Sequence, residues 1–190
     1  SQLASLLKQA NASSLSYDGE ADAISTRDGL TGLHSLHSFA VDHTRSKIGH
    51  GPRDFAATQA AMQQWRHFDL GWVRVANPEA KIATGQIVAV EAHTLGLWSI
   101  NCNRILYIVD EPHRYGYAYG TTRLHVESGE ERFLIEQDAA GDVFYDLLAI
   151  SRPAHWLTRL GYPYTRSQQH RFVRDSHAKL AQAVTESLNS

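Results

Sequence analysis

The sequence has one cysteine, no long apolar run and almost no excess of either charge. A lone cysteine, Cys102, excludes an internal disulfide framework and suits a reducing compartment. Without about 18 consecutive apolar residues, no transmembrane helix is expected. The formal net charge is -2, whereas general nucleic-acid binding normally goes with a strong basic excess. No basic, apolar and small-residue signal opens the chain, so the expected location is cytoplasmic. The catalytic signatures are missing as well. There is no His-Glu-x-x-His, Cys-x-x-Cys or calcium loop, no P-loop or dinucleotide fingerprint, and no Gly-x-Ser-x-Gly elbow. Eleven histidines raise the question of a metal, but His34 and His37, three apart, have no carboxylate or cysteine partners in a ligating pattern. Neither a cofactor nor a metal is expected.

What remains is an ordinary globular composition. Apolar residues at 43% and charged residues at 20% rule out wholesale disorder, and 190 residues are enough for one domain with a substantial core. Residues 1 to about 13 carry Leu3, Leu6 and Leu7 on one side of a short helix. The following stretch to Gly32 is rich in Ser, Asp, Gly and Ala. Residues 1–38 are therefore read as an irregular or partly helical leader, and 39–187 as the domain.

Phe39, Val41 and His43 alternate with polar neighbours, the period of a strand. Gly49-His50-Gly51-Pro52 ends it, and Pro52 suits the first turn of a helix. Phe55, Met62, Trp65 and Phe68 give that helix one apolar face, and Gly71 closes it. Strands are expected at Trp72–Val75, Ile82–His93 and Trp98–Val109, where β-branched and aromatic residues concentrate. In Trp98-Ser99-Ile100-Asn101-Cys102 the alternation makes Cys102 a small buried strand residue. Asp110-Glu111-Pro112-His113 reads as a turn, Tyr115–Gly120 as a strand, and Glu131–Gln137 with Asp142–Ile150 as a hairpin. Ser151-Arg152-Pro153 reads as the start of a C-terminal helix that Gly161-Tyr162-Pro163 interrupts. The expected fold is α+β, with a curved antiparallel sheet of about six to seven strands gripping a long last helix.

Five sequence pieces carry a family resemblance. They are Trp65-Arg66, Val109-Asp110-Glu111-Pro112, Tyr117-Ala118-Tyr119-Gly120-Thr121, Gly129-Glu130-Glu131-Arg132-Phe133 and Ser151-Arg152-Pro153-Ala154-His155-Trp156. From about Phe39 to Val184 the chain resembles uncharacterised protein family 0548, and the loop histidine of that family matches His125. The element order looks like the helix-grip architecture of the START and Bet v 1 superfamily, which implies an apolar cavity between sheet and last helix. The family resemblance implies no catalytic residues.

Tyr115, Tyr117 and Tyr119 share one strand face. They either line a cavity or pack beneath the last helix. His125 with Glu130, Glu131 and Arg132 forms a second group. Glu130 and Glu131 point to opposite faces, and Arg132 shares a face with Glu130, where an ion pair would account for it. Arg152 and His155 stand at the expected helix start, where an anion or simple capping fits. The last helix carries Arg159, Arg166, His170, Arg171, Arg174, His177 and Lys179, a solvated face or a surface for an acidic partner. The leading functional reading is a binding domain for a small, largely apolar or amphipathic ligand. Trp65, Trp72, Tyr117 and Tyr119 would supply its walls, and His125 and Arg132 its polar contacts. The alternatives are a proton-transfer enzyme of cyclase or isomerase type, and an interaction module using Arg171 and Arg174.

Overall fold

The structure is a computed structural model and describes residues 1–17, 25–26, 29–30, 39–124, 127–153 and 162–188. Helix α1 (Gln2–Ala12) opens the chain, with the Ser1 hydroxyl accepting from the Ala4 amide. Two short strands, β1 (Ser25–Thr26) and β2 (Gly29–Leu30), pair with each other. The long strand β3 (Ala40–His50) then runs into helix α2 (Gly51–Gln63). Pro52 occupies the first turn, and Asp54 accepts from the His50 amide at 2.8 Å, which satisfies a backbone donor left over at the helix start. Phe55, Thr58, Ala61 and Met62 form its buried face.

Six further strands follow: β4 (Val73–Val75), β5 (Ile87–Thr94), β6 (Leu97–Glu111), β7 (Arg114–Thr121), β8 (Glu127–Gln137) and β9 (Asp142–Pro153). Helix α3 (Tyr162–Leu188) ends the described chain. The seven long-range strands form one antiparallel sheet in the order β3-β9-β8-β7-β6-β5-β4, curled into a half-barrel around α2 and α3. Register shifts lie between Lys47 and Gly49 on β3 and between Ile105 and Tyr107 on β6. An extra residue on one strand bends it and raises its twist, which helps the sheet curl.

Alternation separates the two faces. Tyr115, Tyr117, Tyr119, Phe133, Ile135, Val143, Tyr145 and Leu147 point inward to Met62, Trp65, Phe68 and Leu180 in the main core. On the outer face α1 covers β5 and β6, where Ala10 packs on Ile87, Ala89 and Cys102. Cys102 is fully buried, and burial pushes its thiol pKa up, so it is a packing residue. Leu15 bridges to Thr122, and Tyr17 packs against Leu148 and Ile150 on the same outer face.

Four boundaries differ from the sequence reading. Strand β5 starts at Ile87, because Gly85 takes φ 85° in a turn that hydrogen-bonds to Ile105. Asp110 and Glu111 stay in β6, opposite Tyr115 and Arg114, which leaves Pro112-His113 as a two-residue connection. Ser151-Arg152-Pro153 continues β9 instead of beginning the last helix, held by pairing to Gly129, Ser128 and Glu127. Pro163 lies in the first turn of α3 instead of interrupting a helix, a position that tolerates a missing N–H. His34, His37, Ala154–Trp156 and Arg159 lie outside the described residues.

That β8–β9 pairing explains Gly129. A Cβ there would sit 1.9 Å from the Ile150 carbonyl oxygen and 2.8 Å from the Ser151 Cα, so two backbones would have to separate. Gly129→Ala should cost about 1–3 kcal/mol, the usual range for overpacking. Urea denaturation of the variant measures it, and an unchanged midpoint would contradict so close an approach.

Candidate functional site

The inward aromatic side chains are positioned by the way α2 ends. Just past its last residues Trp65 adopts φ 60°, ψ 21°, the left-handed conformation that glycine usually supplies after a helix. A bulky residue there costs on the order of 1–2 kcal/mol. Its indole N–H donates to the Ala80 carbonyl at 3.0 Å, and its ring meets Tyr117 edge-on, centroids 5.5 Å apart. The reversal swings His67 and Phe68 onto the sheet through a 3-10 turn, Arg66–Phe68.

His67 is fully buried, and its Nε2 lies 2.6 Å from the Tyr117 hydroxyl. Burial pushes its pKa down to about 3, so the imidazole is neutral. Its Nδ1 is buried without a hydrogen-bond partner. Two residues along β7, Tyr119 donates its hydroxyl to the Glu131 carboxylate. Burial pushes the Tyr117 and Tyr119 hydroxyls well above the usual tyrosine value, and the Glu131 charge adds to this. Both hydroxyls therefore stay protonated at neutral pH, and Tyr119 is the donor in its bond to Glu131. A small cavity of about 70 Å³ opens beside Tyr119 and Glu131, with Thr121, Gly129 and Ser151 around it.

The sheet separates the residues named from sequence. Trp65, Tyr117 and Tyr119 belong together on the concave face. Trp72 joins this core nearer α3: its indole N–H donates to Asp175 at 3.0 Å, and the Arg171 guanidinium lies 4.2 Å above its ring. Arg132 points the other way. On the convex face it donates to Asp146 at 2.9 Å, and both are buried. Asp146 also meets His43 at 2.7 Å. Glu130 shares the convex face and accepts from the Tyr17 hydroxyl at 2.6 Å. Glu131 is thus the carboxylate that reaches the tyrosines. His125 lies outside the described residues. Arg171 and Arg174 of α3 both pair with Asp175 of their own helix.

A second concavity of about 480 Å³ runs between the edge strand β3 and α3, lined by Asp42, Thr44, Ser46, His170, Arg174 and His177 among others. Arg166 makes a two-pronged ion pair with Asp42 here, which holds that carboxyl below its usual range. His177 is fastened at both ring nitrogens, to Thr44 at 2.9 Å and Ser46 at 2.5 Å. Burial lowers its pKa, against the pull of Asp146. Among the described residues no group of three or more His, Cys, Asp or Glu side chains is arranged to hold a metal ion.

His67 and Asp146 are the polar residues that sequence reasoning missed. His67 sits beside the Trp65-Arg66 motif, inside the apolar run that ends at Phe68, and a histidine flanked by buried aromatics was the available signal. Asp146 breaks an otherwise apolar strand from Val143 to Ile150, and a single carboxylate there needs a buried cation. Neither signal names the partner.

A curled seven-stranded antiparallel sheet closed on a long C-terminal helix defines a helix-grip protein. Solved structures with this arrangement include a protein of Mycobacterium smegmatis, with TM-score 0.54 and 11% identity over 80% of this chain and 94% of that one. A protein of Arthrobacter aurescens has TM-score 0.53 and 7% identity over 80% and 92%. At such identities the likeness concerns the fold alone. In sequence, the family model of a domain of unknown function (DUF1990) matches residues 28–179. A UPF0548 protein of Dictyostelium discoideum is 40% identical over 164 residues, 80% of this chain and 76% of that protein. One from Arabidopsis thaliana is 32% identical over 158 residues, covering 80% and 75%. The chain belongs to the UPF0548 family.

Proposed function

We propose that the protein is a binding domain for a small, largely apolar ligand carrying one hydrogen-bond donor, held between the sheet and α3. The observation behind this reading is the cavity of about 70 Å³ at the Tyr119–Glu131 pair, where Tyr119 reaches out from the aromatic core. The lining mixes Ile150 and the Tyr119 ring with Thr121, Glu131 and Ser151, and its size, below the roughly 300–1,000 Å³ of drug-sized sites, suits a ligand of few heavy atoms. Glu131 would take the ligand's donor, and Tyr119 would hold the carboxylate in place. Trp65 and Tyr117 would supply wall, with Trp72 toward α3. Arg132, on the convex face, has its role in the Asp146 ion pair. The buried tyrosine hydroxyls stay protonated, which favours orienting a ligand over abstracting its proton.

Pyrrole, an apolar ring with one N–H and few enough atoms for a cavity of about 70 Å³, serves as the probe, its binding followed by NMR. Saturable one-to-one binding is expected. Glu131→Ala should weaken it by about 10–100-fold, the loss of one charge-assisted hydrogen bond. Native mass spectrometry of the protein as purified would add an occupant's mass. A probe that fails to saturate, or that binds Glu131→Ala as well as wild type, counts against the proposal.

A further inference from the structure

The β5–β6 hairpin ends in a tip whose apolar side chains are exposed. Leu95 and Gly96 connect the strands with φ 52° and 77°. Positive φ at both turn positions is the geometry that asparagine and glycine favour, so leucine at the first is an unfavourable choice locally. Packing does not explain it either, since Leu95 is 80% exposed. Leu97 is 74% exposed, Trp98 50% and Ile100 37%. Successive strand residues face opposite sides, yet Leu97 through Ile100 are all exposed. The ribbon therefore projects past the body of the domain, with apolar side chains on both of its faces.

Charge and size narrow what such a ribbon can meet. From Ala92 to Val109 there is no carboxylate, and the ionisable cations are His93 and Arg104. At its base the Trp98 ring stacks on His93, centroids 4.9 Å apart, and lies under the Arg74 guanidinium at 4.9 Å. Arg74 is itself paired to Glu91 at 2.6 Å. A stable protein interface needs roughly 20–30 residues a side, whereas the projecting tip runs only from Thr94 to Ile100. A narrow, two-faced apolar projection with a tryptophan at its base, whose nearest carboxylate, Glu91 opposite Ile100, is paired to Arg74, suits a medium that surrounds it. The boundary between lipid headgroups and acyl chains is such a medium, and tryptophan concentrates there.

We infer that the Leu95–Ile100 tip is a docking element that inserts into a phospholipid surface, with Leu95 and Leu97 entering the acyl boundary and Trp98 at headgroup level. The inference is independent of the ligand site, which is built on β7 and β8. Only the hairpin tip enters the surface, and among the described residues no helix is long and apolar enough to cross a membrane.

The full chain is tested by cosedimentation with phosphatidylcholine vesicles, with and without phosphatidylserine, alongside tryptophan emission. Wild type should pellet with vesicles and shift its emission to the blue. A stronger response with phosphatidylserine would assign the preference to anionic headgroups, and an equal response to the apolar insertion alone. Leu95→Ser and Leu97→Ser should each weaken binding by roughly tenfold. Trp98→Phe should pellet while losing the blue shift. Both leucines are exposed, so melting temperatures should stay near wild type, which separates lost docking from lost folding. The inference is overturned if wild type stays in the supernatant with both vesicle types, or if the leucine variants pellet equally. It is also overturned if wild type forms a concentration-dependent dimer that Leu97→Ser dissolves, because the tip would then be a contact between copies.

Discussion

Between pH 6.5 and pH 3 the wild-type protein should lose up to roughly 4 kcal/mol more stability than a His67→Gln variant. In the folded chain burial holds the His67 pKa near 3, against an ordinary value of 6.5. The unfolded chain therefore binds this proton throughout the interval while the folded chain does not. Stability contributed by neutral His67 is full above pH 6.5 and is lost as pH falls, at up to about 1.4 kcal/mol per pH unit. Glutamine keeps a hydrogen-bonding group within reach of Tyr117 and cannot titrate. Carboxylates held low by their partners, such as Asp42 beside Arg166, also weaken the fold in acid. They are shared by both proteins and cancel in the comparison. Urea unfolding of both proteins at successive pH values measures the difference, and parallel curves would show that the folded chain accommodates imidazolium.

Asp146→Ala should destabilise the domain by about 3–5 kcal/mol, the usual consequence of removing one partner from a buried ion pair. The Arg132 and Asp146 side chains are 7% and 5% exposed, and the substitution leaves a buried guanidinium without its carboxylate. His43 would lose its contact as well, but it is half exposed and can turn to water. The double variant Arg132→Met, Asp146→Leu removes both charges and fills similar volume. It should recover most of the loss, because well-packed apolar replacements of buried ion pairs are commonly neutral or better. Chemical denaturation of the single and double variants measures this, and a double variant as unstable as Asp146→Ala would assign the cost to side-chain shape and not to charge.

Legibility followed periodicity. Tyr115, Tyr117 and Tyr119 alternate with Gly116, Ala118 and Gly120, so their common face could be read from spacing, and they do share the core. Glu130 and Glu131 were separable on the same ground, one bonded to Tyr17 outside and the other to Tyr119 inside. Arg132 shows where spacing stops. Its face followed from the alternation, but whether that face carried the ligand site depended on which side the helices cover. The helix read at Ser151-Arg152-Pro153 failed similarly, because proline fits both a helix start and a strand end. Pairing with Glu127–Gly129, across a separation no local pattern registers, decided for the strand.

By itself the sequence determined the class: strands and helices in an order that yields a curled antiparallel sheet around a long last helix, with one aromatic strand face. These are local properties, set by side-chain period and turn chemistry within a few residues of each position. Only the tertiary structure decided that His67 meets Tyr117, that Asp146 meets Arg132, and that Leu95 and Leu97 stand exposed at a hairpin tip. Those outcomes depend on which distant segments the closed sheet brings within hydrogen-bond reach, and on how deeply it removes each group from water. The degree of burial, more than residue type, turned an ordinary histidine into a neutral core residue and four ordinary hairpin apolar residues into an exposed surface.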